Sequence, residues 1–348
     1  LQGAPDNINP VYAYRDQVSG RMWYTHDGDK ESGRDLVNCP EGGAAVVVTE
    51  EVNGSIRHRQ TFCLGRGHHV VEFSYPTEQD PSIPRRAFVT SLLDGVMDVI
   101  GNDEGEPDTF MKVIKRINLL EADREDEGTD IPNNAFPHGM VFSPHTGRIY
   151  SLNNGYKTVV VVNPHTLEIE KRFVMQGSNN LLLSPCGRYL VGKGADRKSD
   201  PEHVNGTLPI MDIETGEILD TVILKDVYPS TYRFAPGGDA LYVTTATTGK
   251  GAQRDNLKND VVLVFDARRL PELPLVEEVK VGLAANGRRP HAFLRQGEGY
   301  RYAFVPNPTD GTVSILDSRH HVLDTVTIAE KPASELAIEL WQDCLYGC

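Results

Sequence analysis

The sequence predicts an all-β fold, a β-propeller of six four-stranded blades, on three observations. A short pattern recurs in three clear copies, Phe142–Tyr150, Leu183–Leu190 and Phe234–Tyr242. In each copy an apolar run meets a Pro/Gly turn and then a second run rich in aromatic and β-branched residues, as in a hairpin. Another hairpin follows, as in Val159–Asn163, the turn Pro164–Leu167 and Ile169–Phe173. Four strands at a period of roughly 40–50 residues mark a propeller blade.

The blades are read in chain order. The first comprises Val11–Arg15, Arg21–Thr25, Ala44–Thr49 and Ile56–Cys63. The second comprises His69–Ser74, Ala87–Leu92, Val96–Ile100 and Phe110–Leu119. The third runs from His138 to Val174, the fourth from Asn179 to Leu224, the fifth from Ser230 to Val281 and the sixth from His291 to Ile328. Together they form one domain over residues 1–348. A remainder, Ser334–Trp341, reads as another innermost strand without outer partners. It is expected to pair near the first blade and close the ring, leaving no free edge. A seventh blade shared between the termini is the alternative.

The Phe-Ser-Pro-x-x-Gly-Arg-x-Tyr repeats, carried best by Phe136–Pro144 and Val305–Leu316, resemble the YVTN/lactonase-like β-propeller superfamily from His69 onward. The resemblance implies the fold. That superfamily includes lactonases, muconate-cycloisomerising enzymes, redox-protein subunits and binding scaffolds, so it leaves the function open. By resemblance of class alone, secreted fungal propellers of similar size include natural-product cyclases, among them hetero-Diels–Alder enzymes. No motif selects that group.

Blade topology points to one face. Links between blades and loops joining second to third strands share it. Long segments gather there: Asp27–Gly43, Gly194–Thr207, Thr247–Asn259 and the link Glu121–Pro137. Long polar loops on a rigid scaffold commonly build binding sites. The same face receives the residues that open the innermost strands, His69, His138, Asn179, Ser230 and His291, and the ends of second strands, His26, Asn153, Lys193 and Asn307. His69, His138 and His291 are expected to meet at a central funnel and polarise a carbonyl or move a proton. His26, Asn153, Asn179, Lys193, Asn307, Arg289 and Glu335 are the expected substrate contacts, with Arg289 meeting an anion. Asp27, Asp29 and Asp196 are carboxylates within reach of the rim. The competing structural role is that the Pro-His pairs (Pro137-His138, Pro290-His291) only bond neighbouring backbone. His68 is expected to point away from His69, and His58, His145, His165, His320 and His321 to lie on the solvated surface.

Bulk composition narrows the partners. The chain has 348 residues, a formal net charge of −14 and a pI near 5.2. No basic stripe interrupts this acidity, which argues against nucleic acid or an anionic membrane as partner. No run reaches the ~18 apolar residues of a membrane span. The start at Leu1 and the sequons at Asn53 and Asn205, both expected in turns or loops, point to a secreted, lumenal or periplasmic protein whose leader has been removed. Five cysteines then pair as Cys39–Cys63 and Cys344–Cys348, leaving Cys186 free in a turn. A cross-pairing of the tail to the first blade is the alternative.

No nucleophile elbow, dinucleotide fingerprint or phosphate loop is present. The leading expectation is an enzyme acting on a small organic molecule without a cofactor. Its chemistry would be lactone opening, isomerisation, elimination or cyclisation. One alternative is a copper or zinc enzyme using His69, His138 and His291. The other is a non-catalytic propeller that binds a ligand or protein.

Overall fold

The recurring turn explains the recurring sequence. In the computed structural model, which describes residues 10–29, 31–121, 130–248, 251–284 and 289–329, Gly147, Gly187 and Gly238 have φ of 65°, 74° and 77°. That left-handed backbone favours glycine. Their N–H groups close tight turns onto the carbonyls of Ser143, Ser184 and Ala235 at 2.8, 2.8 and 2.9 Å.

Blade one holds β1 (Pro10–Arg15), β2 (Met22–His26), β3 (Ala45–Val52) and β4 (Ser55–Cys63). Blade two holds β5 (His69–Ser74), β6 (Arg86–Ser91), β7 (Val96–Gly101) and β8 (Val113–Asn118). Blade three holds β9 (Pro137–Ser143), β10 (Arg148–Asn153), β11 (Thr158–Val162) and β12 (Ile169–Val174). Blade four holds β13 (Asn180–Leu183), β14 (Tyr189–Asp196), β15 (Asn205–Asp212) and β16 (Ile218–Lys225). Blade five holds β17 (Pro229–Phe234), β18 (Ala240–Thr245), β19 (Val261–Asp266) and β20 (Leu275–Lys280). Blade six holds β21 (Ala292–Gln296), β22 (Gly299–Asn307), β23 (Thr312–Asp317) and β24 (Val322–Thr327). Each sheet is an antiparallel meander in sequence order. The fold is a six-bladed β-propeller.

Burial follows position in the blade. Strands β7, β11 and β18 are buried along their whole length, whereas β24 is exposed throughout. Charged side chains such as Lys171 and Arg172 on β12 protect the outer edge from pairing with another chain.

The chain gathers into two compact units, Leu1–Val174 with Asn179–Leu181, and Met175–Ser178 with Leu182–Cys348. In the first, Trp23 stacks on Phe62 at 5.8 Å, and Phe88, Met97 and Ile149 centre a second cluster. In the second, Leu208, Leu241 and Phe265 form one cluster, and Tyr242, Val262 and Phe293 another.

Two expectations are corrected in blade four. Gly194–Thr207 is not all loop: β14 and β15 stay paired from Gly194↔Thr207 to Asp196↔Asn205, leaving only residues 197–204 between them. Gly194 is there for close packing, since a Cβ would lie 2.1 Å from the Gly177 carbonyl oxygen. Asn205 therefore opens a strand and pairs with Lys225 as well, whereas Asn53 sits exposed in the β3–β4 turn as expected. The bond Cys39–Cys63 is formed, and Cys186 is free and exposed. The closing strand Ser334–Trp341, with Glu335, Cys344 and Cys348, lies outside the described residues.

Candidate functional site

Links and loops of the first unit meet at one end of the blades, as the topology requires. Leu92 and Leu93 N–H groups donate to the carbonyls of His68 and Arg66, joining the β6–β7 turn to the link before β5. Asn154 and Gly155 donate to Phe136 and Ala135, joining the β10–β11 turn to the link before β9. The long loop after β2 is fastened here too. Gly67 N–H donates to the Gly33 carbonyl at 2.8 Å, and Cys39 bonds Cys63 at the end of β4.

On this end Asp27 leaves β2 beside the link residue His68. Its carboxylate oxygens lie 3.0 and 3.1 Å from His68 Nδ1. A carboxylate only accepts, so Nδ1 carries a proton, and in the neutral ring the lone pair is on Nε2. That Nε2 is shielded from solvent and has no hydrogen-bond partner among the described residues. The His68 ring is stacked on His138, with centroids 5.2 Å apart and planes 20° from parallel, and Tyr12 meets its edge at 5.0 Å. His138 in turn donates Nδ1–H to the Asn179 carbonyl at 2.7 Å. This is the backbone bond that the structural reading of Pro137-His138 describes, and it also fixes the ring's tautomer and orientation.

His69 and His26 stand behind this pair. His69 is fully buried and donates Nδ1–H to the Thr90 carbonyl at 2.8 Å, while its Nε2 makes no hydrogen bond among the described residues. Burial lowers its pKa. His26, the last residue of β2, is buried with neither ring nitrogen bonded. Burial lowers its pKa too, against the opposing charges of Asp35 and Asp27. Asn153 ends β10 fully buried; its Nδ2 donates to the Leu119 carbonyl at 3.4 Å and its Oδ1 has no partner. Close by sequence to these groups is a cleft of about 370 Å³, lined by Glu31, Arg34, Arg66, Leu93, Asn134 and Phe136 among others.

The remaining predicted residues belong to the second unit. Arg289 is fully buried and its Nη2 donates to the carbonyls of Asn259 and Gly282 at 2.7 and 2.6 Å, while Nε and Nη1 have no partner among the described residues. Desolvation pulls its pKa down to about 10. His291 is buried, with Nδ1 3.1 Å from Thr231 Oγ1. Burial drives its pKa to about 3, so it stays neutral at working pH. Lys193 Nζ donates to the Ser230 carbonyl at 2.6 Å, and Asn307 Nδ2 to the hydroxyls of Thr312 and Ser314 at 3.0 and 2.9 Å. His69, Arg289, His291 and Asn307 are thus enclosed rather than displayed on a rim.

Three polar groups escaped the sequence reading. His68 was expected to point away from the site; it precedes β5 and is not bound by strand alternation. His320 was expected on the surface, but its Nδ1 lies 2.6 Å from Tyr242 Oη, from a turn with φ of 71°. Glu72, in the middle of the apolar strand β5, accepts the Phe73 N–H at 2.9 Å, and burial raises its pKa to about 7. A lone carboxylate inside a Val/Phe-rich strand was the signal for it. Among the described residues, no group of three or more His, Cys, Asp or Glu is disposed to hold a metal ion.

The chain is similar in fold to hydrazine synthase of Kuenenia stuttgartiensis, with a TM-score of 0.62 at 14% identity over 96% of this chain and 92% of that one. It is similar also to the dihydro-heme d1 dehydrogenase NirN in complex with DHE (TM-score 0.61, 12% identity), covering 93% of this chain and 57% of NirN. A candidate 6-phosphogluconolactonase from Bacteroides uniformis gives a TM-score of 0.55 at 14% identity, over 93% of this chain and 87% of that one. No protein-family model and no curated protein sequence matches the chain.

Proposed function

We propose that this propeller is an enzyme performing acid–base chemistry on a small organic molecule at the Asp27–His68–His138 cluster. One observation carries the reading: a carboxylate fixes the His68 tautomer at 3.0 Å while a second, independently anchored imidazole stacks on the ring. For His68 Nε2, enclosed in this state, to accept a proton from the substrate or from water, the His138 or Tyr12 ring packed on it has to shift and admit the ligand; Asp27 then stabilises the imidazolium that forms. The proton then returns to the leaving oxygen or the rearranged carbon. Lactone opening, isomerisation, elimination and cyclisation all fit this cycle.

The likeness to solved propellers that include a named dehydrogenase and a candidate lactonase supports a catalytic role, as does the resemblance of the repeats to YVTN/lactonase-like propellers. The Cys39–Cys63 bond supports an oxidising compartment, secreted or periplasmic. No helix among the described residues is long and apolar enough to cross a membrane. Exposed Asn53 is the better-placed glycan acceptor of the two sequons.

The test is turnover of a panel of carbonyl compounds, an aliphatic lactone, an aromatic lactone and a β-hydroxy ketone, by wild type and by Asp27→Asn and His68→Gln. Turnover that falls about 10²–10⁴-fold in both variants, with unchanged melting temperature, supports the reading. Turnover equal in wild type and both variants removes it.

A further inference from the structure

The cleft of the first unit carries charges that the fold leaves unspent. It is built by the three segments that also bear the cluster, the loop after Asp27, the link before His68 and the link before His138, together with Leu93 of the β6–β7 turn. Arg66 is already committed, since its Nε and backbone N–H both bond the Asp94 carboxylate at 2.7 and 2.8 Å. Arg34 and Glu31 are different. Both are exposed, both line the cleft, and neither side chain has an ion pair or hydrogen bond among the described residues. Opposite charges three residues apart on one loop are thus both available to a ligand.

The rest of the lining sets polar Ser32, Asn133 and Asn134 beside apolar Leu93, Pro132 and Phe136. Phe136 is a large hydrophobic residue left 37% exposed, and its backbone stands at φ of 45°, a conformation unfavourable for an aromatic residue. A strained, solvent-facing ring persists where surrounding structure demands it, and such positions cluster at binding sites. The demand is visible. Gly155 packs so closely that a Cβ there would lie 1.8 Å from the Asn134 carbonyl oxygen and 2.8 Å from the Phe136 ring. Leu93 adds a second apolar surface, held under Gly33.

We infer that the cleft binds a small zwitterion with an apolar side group, in the manner of a hydrophobic amino acid. Arg34 takes the carboxylate, Glu31 takes the ammonium, and Phe136 with Leu93 covers the apolar part. At about 370 Å³ the cleft is at the small end of ligand sites, which run roughly 300–1,000 Å³. As a statement of substrate class this rests on the acid–base reading of the neighbouring cluster, but binding and turnover are separable.

The experiment is calorimetric titration of the full chain with three probes: L-phenylalanine, N-acetyl-L-phenylalanine and L-phenylalanine amide. The free amino acid should bind tightest. Arg34→Gln should weaken phenylalanine and its acetyl derivative about fivefold, the upper range for a solvated ion pair, and leave the amide unchanged. Glu31→Gln should do the reverse. Phe136→Gly, which relieves the left-handed backbone and so should fold, weakens all three. His68→Gln should bind phenylalanine as wild type does. Equal affinity for all three probes, no measurable binding of phenylalanine, or indifference to both charge substitutions overturns the inference. Intact binding without any turnover in the carbonyl panel would count against the acid–base reading alone.

Discussion

Asp27 and His68 are 41 residues apart in the chain, yet the carboxylate of one holds the imidazole Nδ1 of the other at 3.0 Å. The acceptor type decides where the proton sits, and the same holds for His69 against the Thr90 carbonyl and His138 against the Asn179 carbonyl. All three rings are therefore Nδ1–H tautomers. Long-range proton–nitrogen correlation spectra at pH 7.5 should show this pattern. Asp27→Ala should change it for His68 and leave His69 and His138 as they were. An Nε2–H pattern for His68 in wild type would remove Asp27 as its orienting partner.

Acid should weaken the fold through His291. Its pKa falls from the ordinary 6.5 to about 3 because burial disfavours the imidazolium, reinforced by the charge of Arg233. A depressed pKa means that the unfolded chain binds more protons, so the stability tied to neutral His291 is complete above 6.5 and is lost as pH falls toward 3. Between pH 7 and pH 5 this amounts to roughly 2 kcal/mol. Urea titrations at the two pH values should show that loss in wild type and a smaller one in His291→Gln. An identical pH dependence in both proteins would contradict the burial.

Glu72 should act in the opposite direction. Burial raises its pKa from 4.5 to about 7, so the folded protein holds this proton more tightly than the unfolded chain. Its contribution is fully present below 4.5 and is lost as pH rises through 7. Glu72→Gln keeps an oxygen for the Phe73 N–H and removes the charge. It should match wild type near pH 4.5 and exceed it at pH 8 by up to about 3 kcal/mol. Urea titrations at the two pH values measure this; a variant less stable than wild type at pH 8 would contradict it.

The blades were legible because their signal is local. Every copy of the hairpin motif needs a glycine at one turn position, and the apolar strands around it are bounded within a residue or two by that turn. The pairing of Cys39 with Cys63 was also legible, since the loop after β2 and the end of β4 share one end of a blade. Blade four shows the limit: Gly194 reads as the start of a loop, but its missing side chain lets the backbone pass close to Gly177. The Asp27–His68 pair was out of reach for another reason. Alternation along β5 says nothing of a residue in the link ahead of it, and only the fold brings that link to the end of β2. For His291 and Arg289 the limit is different, because sequence gives no measure of enclosure. Both read as rim residues and both are buried.

The Cys39–Cys63 bond should govern the cleft as well as overall stability. Its partners are 24 residues apart, and closing a loop of that length restricts the unfolded chain by about 3 kcal/mol. Cys39 also sits inside the loop's own hydrogen bonding, where its N–H donates to the Asp35 carbonyl at 2.7 Å and the Asp35 N–H donates to Gly43. Freeing this end leaves Glu31 and Arg34 held by the backbone bonds of Asp29 with Gly33 and Arg34, of Asp35 with Gly43 and of Gly67 with Gly33. Cys39→Ser with Cys63→Ser should therefore lower the urea midpoint and weaken phenylalanine binding, whereas Cys186→Ser should change neither. Reductant should reproduce the loss in wild type and have no effect on the double variant. If stability falls while binding is untouched, the bridge serves the blade alone and the loop is held by its backbone bonds.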